Sequence, residues 1–295
     1  MVPLLLECLE SVALQTVPSW EVIVVDDAST HGNVKESISQ VDDPRISLIT
    51  LAQNQGLGAA RNIGIKAARS QLVLPLDSDD RLHPLFLETT LRALRDHSNV
   101  DCVFTDFQLF GSSDEIWNYS VRSPSEILDV QWIPGPGTLM RKRVWEDVGG
   151  YDEVPAPFCG NEDWDFWIAA VKNGLKAVHV PEPLYNYRRT GHSMSVSSLL
   201  YYDYITRERI YARHKAFFDC HKAGKRFRAG GYLRSATTSL SRRERLRAAR
   251  LALRGAFLQP RNPAILDVLY RASVPYWLQP LLSRPTKVVW KMFSR

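Results

Sequence analysis

Residues 72–84 read LVLPLDSDDRLHP: an apolar run, Leu72 to Leu76, ends in three carboxylates, Asp77, Asp79 and Asp80. Unpaired buried charge is costly, so these acids belong at a strand end, facing a cation. An Asp that merely caps the next helix would look the same over this stretch alone. The pattern recurs upstream, where EVIVVDDAST (21–30) runs from Val22 to Val25 into Asp26 and Asp27. ISLITL (46–51) and VDCVFTDFQLF (100–110) read as further strands. Apolar residues at helical spacing predict helices over 4–14, 33–41 and 84–97, and at the end of GLGAARNIGIKAAR (56–69). Continuous apolar strands alternating with helices imply an α/β chain with a mostly parallel sheet covered on both faces. Ligands of such sheets bind beyond the carboxyl ends of the strands. Both acidic clusters fall there, which favours the cation site over the cap.

Beyond residue 110 the alternation loosens. QWIPGPGTLMRKRVWEDVGGYDE (131–153) holds a Gly/Pro-rich loop, a strand, and a short helix closed by Gly149-Gly150. NEDWDFWIAAVKNG (161–174) opens with acids and continues as a helix, and KAVHVPEPLYNYR (176–188) is a strand entering a loop. From about 198 onward the pattern is helical.

The chain has 295 residues, 45% hydrophobic and 23% charged, as in ordinary globular proteins. Its four cysteines are scattered without CxxC or finger spacing, which argues for a reducing compartment. No run of about 18 apolar residues exists, and MVPLLLECLESV lacks the basic start of a signal peptide. The net charge of +5 hides an asymmetry. Residues 1–200 carry 16 Lys+Arg and 27 Asp+Glu, a net of −11, whereas residues 201–295 carry 21 and 5, a net of +16.

Taken in order, LECLESVALQTVPSWEVIVVDDAST, NQGLGAARNIGIKAA, LPLDSDD, GTLMRKRVWEDVGGYDE, NEDWDFW and YRRTGHSMS resemble the family 2 inverting glycosyltransferases of the GT-A fold. The resemblance covers roughly residues 1–195. It implies a nucleotide-sugar donor, most readily a UDP-sugar, and a Mn²⁺ or Mg²⁺ ion that neutralises the diphosphate leaving group. Asp79 is the implied metal ligand, and Asp77 holds the ribose or a metal-bound water. Asp80 either substitutes or orients. His192 is implied to complete the metal shell. Asp27, supported by Asp26, is implied to read the base, and Arg61 and Arg188 to face the diphosphate. Asp163 matches the general base that activates the acceptor hydroxyl. Trp132, Gly137, Glu162 and Trp164 are candidate acceptor contacts.

The family usually opens with an apolar strand beside the base, whereas here Leu4 to Leu14 already reads as a helix. Two expectations follow: the start is misplaced and the strand is encoded upstream, or the chain is a truncated relative, whose alternative role is a non-catalytic binding or scaffold module. A Rossmann dehydrogenase, suggested by GLGAARNIG, lacks the full glycine pattern and the downstream acid.

The expected division is a GT-A domain over 1–197 and a helical basic region over 198–295. In RRERLRAARLALRGAFL (242–258), Arg243, Arg247, Arg250 and Arg254 form one helical stripe beside Leu246, Ala249, Leu253 and Phe257. That pattern suits an anionic lipid surface, and VPYWLQPLLSRPTKVVWKMFSR (274–295) repeats the mix of aromatics and cations. The expected acceptor is a glycan or lipid-linked glycan of a cell-surface polysaccharide. The expected location is cytoplasmic, at the inner face of the plasma membrane. No nucleic-acid partner is expected, since the site-bearing part is acidic and carries no binding motif.

Overall fold

The computed structural model describes residues 2–30, 32–154, 158, 160–189 and 194–274. His192 and residues 275–295 lie outside the described residues. The chain divides into two compact units, Met1–Ser193 and Met194–Arg295.

The first unit opens with α1 (Val2–Ala13), β1 (Val22–Asp26), α2 (Val34–Ser39), β2 (Ile46–Thr50) and α3 (Leu57–Ala67). β1 and β2 pair in parallel, with Asp26 opposite Thr50. Leu5 and Leu9 of α1 meet Val34 and Ile38 of α2 over Val22, Val24, Ile46 and Leu48. There follow β3 (Leu72–Val73), β4 (Arg81–Leu82), α4 (Phe86–Asp96), β5 (Cys102–Gly111), β6 (Ile116–Trp117), a 3₁₀ turn (Pro124–Leu128), β7 (Thr138–Arg141), α5 (Lys142–Val148), α6 (Glu162–Lys172) and β8 (Ala177–Arg189).

The larger sheet has the order β3-β7-β5-β8-β4, with β6 added on β5. β5 and β8 run parallel, whereas β3·β7, β5·β7, β4·β8 and β5·β6 are antiparallel. The sheet is therefore more mixed than its apolar runs imply. Such runs report burial on both faces, and burial does not fix strand direction. β3 is also shorter than the expected 72–76. Pro75 has no N–H for the ladder, and its carbonyl instead accepts the Gly137 N–H at 2.9 Å.

Val12, Leu82, Phe86, Phe107, Leu184 and Tyr185 form the core nearest the acidic turn. Phe107 and Tyr185 stack at 4.5 Å, worth about 0.5–1.5 kcal/mol beyond area burial. The Tyr185 ring thus fixes a hydroxyl that reaches Asp80 at 2.7 Å.

The second unit comprises α7 (Met194–Arg213), α8 (Lys215–Cys220), α9 (Gly224–Ser241), α10 (Arg245–Leu258) and α11 (Pro263–Ser273). α9, α10 and α11 share a core of Ala229, Ala236, Leu240, Ala248, Leu251, Ala252, Ile265 and Val268. α7 and α9 approach closely at Gly231, where an added Cβ would lie 3.1 Å from the Asp203 carbonyl oxygen. Asn262 caps α11, accepting the Ala264 N–H at 3.1 Å with Pro263 in the first turn. No helix among the described residues is long and apolar enough to cross a membrane.

Candidate active site

β1 delivers Asp26 and Asp27 at its carboxyl end, and both acids organise backbone. Asp27 accepts the N–H groups of Gln55 at 2.7 Å and Gly56 at 2.8 Å. Asp26 accepts the Ser29 N–H at 3.0 Å. The Asp27 contacts set the entry to α3, where Gly56 has φ of 94°, a conformation suited to glycine. Gly58 lies so close to the following segment that a Cβ would stand 2.3 Å from the Asp152 carbonyl oxygen. Asn62 completes this join, donating to the Tyr151 carbonyl at 2.9 Å and accepting the Tyr151 N–H at 2.8 Å. α3 is thereby held so that Arg61, one turn in, points at the acidic turn.

That turn, Asp77 to Asp80, is closed by the Asp80 N–H on the Asp77 carbonyl at 3.1 Å. Asp80 is 1% exposed and anchors it. Its carboxylate accepts the Tyr185 hydroxyl and the Arg188 N–H, both at 2.7 Å. Burial, then the Asp77 charge, pushes its pKa up to about 8. Arg188, on β8, braces the same turn: its Nε donates to the Asp79 carbonyl at 2.6 Å and its Nη2 to Glu7 of α1. The resemblance aims Arg188 at a diphosphate; the structure engages it with the turn's backbone. With Asp80 fixed below, Asp79 is exposed and Asp77 partly exposed.

Arg61 joins the two halves of the site. Its Nη2 donates to Asp77 at 3.0 Å and its Nη1 to Glu162 at 2.6 Å, with the side chain 9% exposed. Burial works against its charge, but the carboxylates of Asp77 and Glu162 more than offset that, so it stays protonated. Instead of opening toward a phosphate, the guanidinium fills its fork with carboxylates, as a buried cation must. Glu162 is buried as well, and burial followed by the Asp163 charge raises its pKa.

Asp163, next along the first turn of α6, is held from two sides. Its Oδ2 accepts Gln131 Nε2 at 2.9 Å and its Oδ1 accepts the Trp164 N–H at 2.8 Å. Gly135 makes room for it, since a Cβ there would lie 2.1 Å from Asp163 Oδ2.

Four expected acceptor contacts are placed otherwise. Glu162 is paired with Arg61. Trp164 is 5% exposed, with its indole N–H on the Ile127 carbonyl at 2.6 Å. Its position just after the first acids puts it on the inward face of α6. Trp132 is also 5% exposed, packed near Phe104 at 6.4 Å, so its ring faces are not open to a sugar. Its indole nitrogen has no partner among the described residues. Gly137 has φ of 72°, and a Cβ there would meet the Tyr185 ring at 2.5 Å, so the fold itself demands glycine. Gln131 and Glu7 were not singled out in the sequence; their roles follow from contacts 32 and 181 residues distant.

Among the described residues, no three His, Cys, Asp or Glu side chains converge as a ready-made metal site. Asp79 and Asp77 fit a hard divalent ion by another route. Such ions bind through one or two carboxylates and complete their shell with substrate phosphates and water.

Comparisons with known proteins bear on the family and the fold. The model of the family described as glycosyl transferase family 2 matches residues 2–151. A putative teichuronic acid biosynthesis glycosyltransferase, TuaG of Bacillus subtilis, is 29% identical over 197 residues, covering 64% of this chain and 75% of that protein. A putative glycosyltransferase of the same organism, EpsE, is 29% identical, covering 67% and 72%. Among solved structures, S. aureus TarS 1-349 in complex with UDP-GlcNAc superposes with a TM-score of 0.59 at 18% identity, covering 92% of this chain and 89% of that one. The mannosyltransferase PcManGT from Pyrobaculum calidifontis, in complex with GDP-Man and Mn²⁺, gives 0.56 at 18% identity, covering 96% and 85%. At these identities the structures show a shared fold: a curled sheet flanked by helices, of the GT-A type.

Proposed function

The chain belongs to glycosyl transferase family 2, and from that premise we propose that it is a metal-dependent inverting transferase. It moves a sugar from a nucleotide donor, a UDP-sugar in the first instance, to a hydroxyl of a glycan or lipid-linked glycan in cell-surface polysaccharide synthesis. The residues 1–197 carry catalysis and 198–295 form a basic helical region, in a cytoplasmic protein. The observation that supports this reading most is the Arg61 bridge, which ties the Asp77–Asp80 turn to the helical turn bearing Asp163.

Asp79, with Asp77, would hold a divalent ion, which when bound would supply neutralisation of charge on the departing diphosphate. Asp27, steadied by Asp26, keeps the loop at the base in place. Asp163 takes the proton from the acceptor hydroxyl as its oxygen bonds to the anomeric carbon and the bond to the diphosphate breaks on the opposite face. The anomeric centre inverts. Gln131 and the Trp164 N–H aim the carboxylate, while Arg61 and Arg188 act as positioning residues. The UDP-GlcNAc and GDP-Man seen in the neighbours, the latter with Mn²⁺, support the donor class, and the name of TuaG supports the acceptor class.

The test is nucleotide release from a panel of UDP- and GDP-sugars with Mn²⁺, with the product linkage read by NMR. Transfer with inversion that stops on chelation is expected. Retention, or an unchanged rate in chelator, contradicts the proposal. Gly135→Ala offers a sharper geometric check. The added methyl would stand 2.1 Å from Asp163 Oδ2 and 2.9 Å from its Cβ, so the carboxylate is displaced and the start of α6 must give way with it. Transfer is expected to fall roughly 10- to 100-fold, with a lowered melting temperature but a retained cooperative transition. An unaffected rate would mean that Asp163 does not work from this position.

A further inference from the structure

α10 has two faces of different character. One buries Ala248, Leu251, Ala252 and Gly255 against its neighbours. The other exposes Leu246 by 79%, Leu253 by 60% and Phe257 by 89%. These three recur at helical spacing and form a stripe about 16 Å long. Exposed Arg243, Arg250 and Arg254 flank it. Arg247 departs from the stripe read in the sequence. Its guanidinium lies 3.3 Å from the Tyr201 ring centroid and donates to the Tyr201 carbonyl at 3.2 Å. It is half-buried, and loss of water lowers its pKa.

Beside the stripe is a shallow groove of about 340 Å³, lined by Tyr204, Arg247, Arg250, Leu251, Leu253 and Arg254. Two carboxylates stand nearby. Glu244 accepts the Tyr201 hydroxyl at 2.7 Å, and Glu208 is paired with Arg228 at 2.8 Å. Both are already engaged, so the face is net cationic, in keeping with the +16 of residues 201–295.

We propose that this face of α10 docks on an anionic lipid bilayer, with Leu246, Leu253 and Phe257 entering the acyl boundary and the groove receiving a lipid phosphate. Large apolar side chains standing between arginines suit a surface with both phosphates and acyl chains. A nucleic-acid duplex offers only the phosphates, and a second copy of this chain would oppose arginine to arginine. The proposal does not depend on the catalytic reading, since its test measures no transfer.

The test is co-sedimentation of the 295-residue chain with phosphatidylcholine vesicles, with and without about 30% phosphatidylglycerol, at about 0.1 M NaCl. At least roughly tenfold tighter binding to the anionic vesicles is expected, fading as salt rises. Arg250→Glu/Arg254→Glu should remove at least about tenfold of that preference. Leu253→Ser/Phe257→Ser should weaken binding comparably while leaving the salt dependence. All four side chains are exposed, and unchanged melting temperatures confirm intact folds. Equal binding to neutral and anionic vesicles overturns the proposal. So does wild-type binding by either double variant, displacement by millimolar inorganic phosphate, or tighter binding to duplex DNA than to the anionic vesicles.

Discussion

Asp163→Asn is expected to slow sugar transfer by about 10²- to 10⁴-fold, the usual contribution of a positioned general base. The asparagine keeps the size of the side chain and an oxygen able to accept from Gln131 or from the Trp164 N–H, both of which hold the native carboxylate. Its amide cannot take a proton from an alcohol. Melting temperature and UDP binding should therefore stay close to wild type while the turnover rate collapses. Transfer within about threefold of wild type would place the base elsewhere.

Arg61→Leu is expected to carry the largest stability cost in the first unit. The guanidinium is buried between Asp77 and Glu162, and removing one partner of such a cluster strands charge away from water. Breaking a buried pair this way costs about 3–5 kcal/mol. For a unit of this size that lowers the melting temperature by about 6–20 °C. Arg61→Lys keeps a charge but cannot span both carboxylates with a fork, so it should recover part of the stability and little of the transfer. A melting temperature unchanged in Arg61→Leu would show that Asp77 and Glu162 do not rely on it.

The strands and the acidic turn were legible because their signals are local. An apolar run ending in Asp26-Asp27 or in Asp77-x-Asp79 needs only neighbouring residues to be recognised. Partnership was not legible. Arg61 reads as a cation near a helix start, yet its role is set by carboxylates 16 and 101 residues away. The same holds for Arg188, which reads as a phosphate ligand but is captured by the Asp79 carbonyl and Glu7. Trp164 misled for a different reason. Three acids in one helical turn suggest a solvated face, but Glu162 and Asp165 are themselves buried, and the tryptophan follows them inward. The longest pairings, β1·β2 and β5·β8, are parallel as expected, but the short antiparallel strands escaped because apolar periodicity records burial alone. In the α10 stripe Leu246, Leu253 and Phe257 are exposed as expected, whereas Ala249 packs toward the helical core, Arg243 precedes the helix, and Arg247 is captured by Tyr201 of another helix.

Titration of UDP into the full chain with and without Mn²⁺, beside Asp79→Ala, tests the central claim most directly. The account predicts calorimetric binding in Mn²⁺ that weakens at least tenfold, a change of about 1.4 kcal/mol, when the metal is removed or Asp79 is lost, and that survives in Asp163→Asn. Equal affinity with and without metal, or an undiminished Asp79→Ala, would contradict it.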